Sequence, residues 1–189
     1  MVWFLSDFVK DIPLIQSSPP MAQRSSVLWS HPPSSPLVKV NFDGAIFKET
    51  GNARIGVIIR DSQGPVIESV TKKISLPHSE VAVEAMVAIK ALSFAQKLNL
   101  SSIILEGDLE IVIKALKSED ESFSSRGHLI AEAKLFFDFF HYLSLSHICR
   151  QTNPMAHNFT GHARHVNGLL VWMKDVPPHL NSILLADFG

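Results

Sequence analysis

The order of hydrophobic and polar residues predicts strands at the start of the chain's ordered region. From Val38 to Asp43 apolar and polar residues alternate (VKVNFD), which is the period of a strand that buries one face. Two β-rich runs follow, at Arg54–Arg60 and Val66–Ile74, and the segment between them, Asp61–Gly64, has the composition of a hairpin turn. These runs predict three strands in an antiparallel meander.

After the meander the spacing of apolar residues becomes that of a helix. From Val81 to Ala95 they recur every three or four positions, and Ser79 precedes them as a plausible N-cap. The run Ile103–Asp108 then predicts a buried strand, and Leu109–Leu116 predicts a second helix. Because strand-helix-strand connections join parallel strands, we expect this fourth strand to pair in parallel.

The last third of the ordered region predicts two more helices around one strand. The first helix should run from about Gly127 to Tyr142, and the strand should lie around Leu143–Arg150. The final helix is entered through Asn153-Pro154, with Asn as N-cap and Pro at the first helical position.

Composition divides the chain into four parts. Residues 1–16 form an amphipathic segment that we expect to dock on the domain or on a protein partner. Residues 17–36 are rich in Ser and Pro and predict a linker. The ordered domain is expected at 37–168, and residues 169–189 are expected to form a packed C-terminal tail.

Composition and charge narrow the classes of function. The chain has 189 residues, 46% of them hydrophobic, and 17 Lys and Arg against 18 Asp and Glu. It therefore lacks the basic excess of a small non-specific nucleic-acid binder. Its apolar runs are too short for a membrane span. The single cysteine, Cys149, excludes an internal disulfide and suits a reducing intracellular compartment, without distinguishing nucleus from cytoplasm.

Three acidic residues fall where the predicted fold would bring them together. Asp43 ends the first predicted strand and Asp108 ends the fourth, so parallel neighbours would place both carboxylates about 4.8 Å apart at one edge. Glu84 interrupts the apolar helix that would cover the sheet. Such a cluster needs a bound cation or raised pKa values. Carboxylate ligands favour Mg²⁺ or Mn²⁺, and a two-ion site of this kind suits phosphodiester cleavage.

Each of these residues also has a purely structural interpretation. An Asp before Gly, as in Asp43-Gly44, is common in turns, and Asp108 precedes a helix that it could cap. Glu84 could face solvent on its helix.

Five segments together resemble one protein family. They are KVNFDGA (39–45), IGVIIRDSQG (55–64), VEAMVAIKAL (83–92), ILEGDLEIVIKAL (104–116) and CRQTNPMAHNFTGHAR (149–164). In order and spacing they are similar to the type 1 ribonuclease H family, and more closely to its plant reverse-transcriptase-like, retroelement-derived branch. The resemblance implies an α/β ribonuclease H-like fold. Its sheet would be mixed and five-stranded, an antiparallel meander plus parallel strands, with helices on both faces.

The resemblance also implies a site and an activity. Asp43, Glu84 and Asp108 match the first three carboxylates of a metal site that holds two ions, Mg²⁺ or Mn²⁺, and cleaves the RNA strand of RNA/DNA hybrids. His157 stands where the well-known ribonucleases have a fourth carboxylate. Near the start of a helix a neutral imidazole is favoured, and it suits Mn²⁺ better than Mg²⁺. His157 is alternatively a surface residue of a site that has lost its fourth ligand.

A hybrid substrate would be held through its phosphates and 2′-hydroxyls. The candidate contacts are Lys48, Arg54, Arg126, Arg150 and Asn153. Each charged member of this set is otherwise an ordinary solvated surface residue. Two hypotheses follow: a divalent-metal-dependent endonuclease, or a catalytically weak or inactive domesticated module that binds nucleic acid or a protein partner.

Overall fold

A six-stranded mixed sheet forms the centre of the protein, in a computed structural model that describes residues 34, 36–118, 127–162 and 168–187. The strands are β1 (Val38–Phe47), β2 (Asn52–Arg60), β3 (Val66–Ser75), β4 (Ser102–Gly107), β5 (Tyr142–His147) and β6 (Leu169–Met173). Their order is β5-β4-β1-β2-β3-β6. β1, β2 and β3 pair antiparallel, whereas β4 runs parallel to both β1 and β5. The predicted meander and the predicted parallel pairing are both confirmed.

Five α-helices accompany the sheet in the described part of the chain. They are α1 (Glu80–Lys97), α2 (Glu110–Lys117), α3 (Gly127–Lys134), α4 (Pro154–His162) and α5 (Asn181–Asp187). α3 is shorter than the predicted helix because a 3₁₀ turn at Phe137–Phe139 follows it. Phe136, Phe137 and Phe140, in and around this turn, all pack on the main core.

The two faces of the sheet carry separate hydrophobic cores. The main core lies under α1, α2 and α3, and it contains Phe42 of β1 and Leu105 of β4. The second core joins Met155 and Phe159 of α4 to Ile58 of β2 and to C-terminal residues. Because successive strand residues face opposite sides, neighbouring residues of β1 contact helices on opposite faces of the sheet. Helices therefore cover both faces, as expected.

The C-terminal segment adds a strand that the sequence did not predict. β6 pairs antiparallel with β3, with Trp172 opposite Ser69, and this extends the expected five-stranded sheet by one strand. The Trp172 ring is buried and meets Phe159 edge to face at 5.3 Å. The added strand covers an edge of β3 that would otherwise be open to solvent or to another chain. The predicted α/β ribonuclease H-like fold is confirmed with this extension.

Several predictions concern residues that the structure does not describe. The amphipathic segment 1–16 and the linker 17–36, except for Ser34 and Pro36, lie outside the described residues. The domain boundaries at 37 and 168 stay predictions. No helix among the described residues is both long and apolar enough to cross a membrane. Cys149 is exposed and has a free thiol.

Candidate metal centre

Asp43 lies inside a strand and not at its end as predicted. The parallel ladder between β1 and β4 stops at the pair Asn41–Glu106, while β1 continues to Phe47 in register with β2 alone. Alternation of residue types marks a strand but not the point where one of its neighbours diverges. Asp43 follows that point and Asp108 follows β4, so both carboxylates still meet at the carboxyl end of the parallel ladder.

Glu84 reaches the same place from α1. Its Oε1 accepts a hydrogen bond of 2.8 Å from the backbone N–H of Gly44, which adjoins Asp43 on β1. A Cβ atom on Gly44 would lie 2.4 Å from Cγ1 of Val83, so only glycine allows this approach of helix and strand. Glu84 is 4% exposed and does not face solvent.

The three carboxylates form one compact group. One ligand oxygen from each of Asp43, Glu84 and Asp108 lies within 4.8 Å of the others. Asp43 Oδ1 and Glu84 Oε2 are buried and have no hydrogen-bond partner in the described part of the chain. A buried oxygen without a partner is costly unless a ligand binds it. The donor set and its two free oxygens therefore fit a divalent cation.

Burial and mutual repulsion raise the pKa values of two members of the group. The pKa of Glu84 is raised well above its ordinary value, first by burial and then by the charges of Asp43 and Asp108. The pKa of Asp108 is raised by burial and by Asp43. Arg150 opposes both shifts. A bound cation would remove the penalty that these shifts express.

The raised pKa of Glu84 predicts an unusual pH dependence of stability in the metal-free protein. Above the ordinary value of 4.5, folded Glu84 keeps a proton that the unfolded chain has released, until the pH reaches the raised pKa. The free energy of unfolding contributed by this group therefore falls as the pH rises across that window. We expect Glu84→Gln to remove this fall. Urea unfolding in a chelator from pH 4.5 upward measures it, and equal pH profiles for wild type and variant would contradict it.

Thr160 fixes the orientation of Asp43 and was missed by sequence reasoning. Its Oγ1 donates a hydrogen bond of 2.5 Å to Asp43 Oδ2, and the residue is fully buried. A Cβ on Gly56 would lie 2.8 Å from Thr160 Cγ2, so glycine on β2 lets α4 come this close. The spacing of three between His157 and Thr160, which places both on one helix face, was the available signal.

His157 lies beside the carboxylates and contacts Asp43. Its Nδ1 is 3.3 Å from Asp43 Oδ2, and the imidazole side chain is 45% exposed. The guanidinium of Arg150 approaches the same Nδ1, with Nε at 3.3 Å and Nη2 at 3.1 Å. Nδ1 can accept from Arg150 when the ring proton is on Nε2, and it can donate to Asp43 Oδ2 when the proton is on Nδ1, so it serves one of these two contacts at a time. His157 Nδ1 is therefore within reach of both a carboxylate of the group and the Arg150 guanidinium.

The end of β5 and the loop before α4 supply three further contacts. Arg150 Nε is 3.7 Å from Asp108 Oδ2, and His147 Nε2 is 3.2 Å from the carbonyl oxygen of Asp108. Asn153 is buried and donates to the carbonyl oxygen of Phe42 at 3.0 Å. Its Oδ1 has no partner in the described chain, so the side chain braces β1 and does not cap α4 as the sequence predicted.

The candidate phosphate contacts lie in different environments. Lys48 is exposed on the turn between β1 and β2, and Arg150 is exposed beside the carboxylates. Arg54 is 3% exposed and Asn153 is 2% exposed, so neither offers much surface to a phosphate. Arg126 lies outside the described residues. Arg150 is the described member of this set for which the structure shows direct contacts with the site.

Comparisons with known proteins agree with this architecture. The model of the family described as "Reverse transcriptase-like" matches residues 41–163. No curated protein matches the sequence. Among solved structures, RNase H1 from Halobacterium salinarum is 24% identical, with 67% of this chain and 96% of that chain covered and a TM-score of 0.62.

Two further solved structures have the same fold. The N-terminal RNase H domain of a Mycobacterium tuberculosis protein is 18% identical, with coverage of 67% and 92% of the two chains and a TM-score of 0.61. An RNase H1 isolated from compost, solved in complex with an RNA/DNA hybrid, is 20% identical, with coverage of 66% and 94% and a TM-score of 0.55. At these identities the likeness shows the fold alone.

Proposed function

The chain belongs to the reverse transcriptase-like family, and on that premise we propose that it is a divalent-metal-dependent endonuclease that cuts the RNA strand of RNA/DNA hybrids. The resembling segments further lead us to propose a place in the plant retroelement-derived branch. The relative from compost binds such a hybrid, which supports the choice of substrate class.

The observation that carries the proposal is the pair of free buried oxygens in the carboxylate group. Asp43 Oδ1 and Glu84 Oε2 have no hydrogen-bond partner among the described residues, although both are shielded from water. If these carboxylates served only to cap helices or close turns, their oxygens would accept hydrogen bonds from backbone N–H groups. Free oxygens within a few ångströms of a third carboxylate favour a cation site over that structural interpretation.

Each side chain of the proposed site has a separate task. Asp43 presents Oδ1 while Thr160 holds Oδ2. Glu84 presents Oε2 while Gly44 holds Oε1. Asp108 and the imidazole of His157 form the other side. When bound there, Mg²⁺ or Mn²⁺ ions supply an activated water nucleophile and stabilise the leaving 3′ oxygen.

The exposed, positively charged side chains near the carboxylates would bind the substrate. A hybrid is recognised by its shape, through phosphates and 2′-hydroxyls, so a few well-placed donors suffice and sequence is not read. Lys48 and Arg150 are exposed and carry the charge for this. We propose these two as phosphate contacts, with Arg126 as a further candidate from the sequence.

The test is cleavage of a labelled RNA/DNA hybrid in Mg²⁺ and, separately, in Mn²⁺. Single-stranded RNA and duplex DNA of the same sequence serve as control substrates. We expect cleavage of the RNA strand of the hybrid, faster in Mn²⁺, because imidazole is a poorer ligand for Mg²⁺. His157→Asp should raise the rate in Mg²⁺ about tenfold, which corresponds to about 1.4 kcal/mol of transition-state stabilisation.

One observation favours a second candidate function, a binding module without cleavage. The Arg150 guanidinium already contacts His157 and lies near Asp108, and these positions would otherwise face a metal ion. If folded wild type and His157→Asp both bind hybrid but cut it in neither metal, the endonuclease proposal is wrong and the binding module stands.

A further inference from the structure

Resting on the endonuclease proposal, we infer that Arg150 is a built-in counter-ion of the site. In the free protein its guanidinium covers the side formed by Asp108 and His157. That side takes a divalent ion only after Arg150 has moved away to a phosphate of the substrate. Arg150 thereby couples occupancy of the second ion position to the arrival of nucleic acid.

The two sides of the carboxylate group differ in what already occupies them. On one side Asp43 Oδ1 and Glu84 Oε2 are buried and have no partner in the described chain. On the other side Arg150 contacts His157 Nδ1 at 3.1 Å and lies 3.7 Å from Asp108 Oδ2. The side formed by Asp43 and Glu84 is open to a cation, whereas the side formed by Asp108 and His157 already holds the Arg150 guanidinium.

The position of the guanidinium competes directly with a metal ion. A donor N–H aimed at His157 Nδ1 uses the lone pair that metal ligation from that nitrogen would need. A positive charge near Asp108 also repels a divalent ion at short range. The lowering effect of Arg150 on the pKa of Asp108 agrees with an electrostatic contact between them.

The Arg150 side chain is also free to move away from Asp108 and His157. Its side chain is 59% exposed, and it begins a short 3₁₀ turn, Arg150–Thr152, on the surface. The ion pair is long, with Nε 3.7 Å from Asp108 Oδ2, and the Arg150 side chain is solvent-screened, so the contact with Asp108 does not lock it. A phosphate offers the planar guanidinium a bidentate partner that a single carboxylate oxygen at 3.7 Å does not. Phosphate and site therefore compete for one side chain.

The experiment counts Mn²⁺ ions bound to the free full-length protein by electron paramagnetic resonance titration. We expect one tightly bound ion in wild type and two in Arg150→Gln, with the second at least about tenfold tighter than in wild type. Lys117→Gln is the matched control, since it removes one exposed positive charge at the far end of α2. It should bind one ion, as wild type does.

A second titration adds a hybrid whose RNA strand carries 2′-O-methyl groups, which prevent its cleavage. Wild type should then bind two ions tightly, as Arg150→Gln does without hybrid. If wild type and Arg150→Gln bind one ion each with equal affinity, the counter-ion role is wrong and the metal centre stands. If neither protein binds Mn²⁺, the metal centre itself is wrong, and this inference falls with it.

Discussion

Replacing Asp43 with Asn should lower the rate of hybrid cleavage by about 10³-fold or more. Thr160 donates to Oδ2, so an Asn at this position keeps that hydrogen bond by presenting its amide oxygen there. The amide nitrogen then takes the position of Oδ1 and aims its donors at the cation site. Losing a ligand at the reacting centre costs several kcal/mol of transition-state stabilisation, and each 1.4 kcal/mol is a factor of about ten.

The same variant should be more stable than wild type in the absence of metal. Asp43 lies in repulsive contact with two other carboxylates, and Asn removes one charge from that group. Thermal unfolding in a chelator, followed by circular dichroism, measures this, and it shows at once whether lost activity reflects lost folding. Glu132→Gln on the exposed face of α3 is the control for removing one negative charge. Cleavage by Asp43→Asn within tenfold of wild type would exclude Asp43 as a metal ligand.

Replacing Gly44 with Ala should both destabilise the protein and disable the site. The added Cβ would meet Val83 Cγ1 at 2.4 Å and Glu84 Oε1 at 3.3 Å, so α1 must shift away from β1. Overpacking of this kind costs about 1 to 3 kcal/mol. Since Glu84 is carried on α1, the shift also removes its carboxylate from Asp43. We expect a lower midpoint in urea unfolding and at least about a hundredfold loss of cleavage.

Two further variants test whether the cause is the contact with α1. Gly161→Ala adds the same methyl group to α4 where no atom lies within 4 Å of the new Cβ, and it should be neutral or slightly stabilising. Val83→Ala removes the atom that the new Cβ would meet, so the double variant with Gly44→Ala should lose less stability than the two single losses summed. Additive losses would show that α1 is not displaced.

The fold was predictable because its signals are local and repeated. Alternation marked β1, the Asp61–Gly64 turn placed the hairpin, and the order of strand and helix implied a parallel β4. β6 was not predictable in the same way. The run Leu169–Met173 is apolar throughout and does not alternate, since its two faces meet different neighbours, and only its pairing with β3 identifies it as a strand.

The sequence was enough to predict the three carboxylates of the site, but not the residues that contact and orient them. Glu84 is an acidic residue within an apolar helix segment, and this pattern is visible in the sequence. Thr160 and Arg150 are ordinary residues whose importance depends on where one side chain points. The burial of Arg54 follows from its place on a central strand between two neighbours, whereas sequence reasoning treats arginine as a surface residue by default.

The second core gives the chain an order of assembly. Met155 and Phe159 of α4 pack on Ile58 and Val66 of the sheet, and the rest of that cluster comes from residues 170–184. During synthesis on a ribosome, α4 therefore lacks most of its apolar partners until residues 170–184 have emerged. Thr160 and His157 lie on α4, so the edge that holds the three carboxylates takes its final form only after α4 has packed on this segment. A chain that lacks this C-terminal segment would therefore hold α4, and the carboxylate edge it completes, less firmly in place.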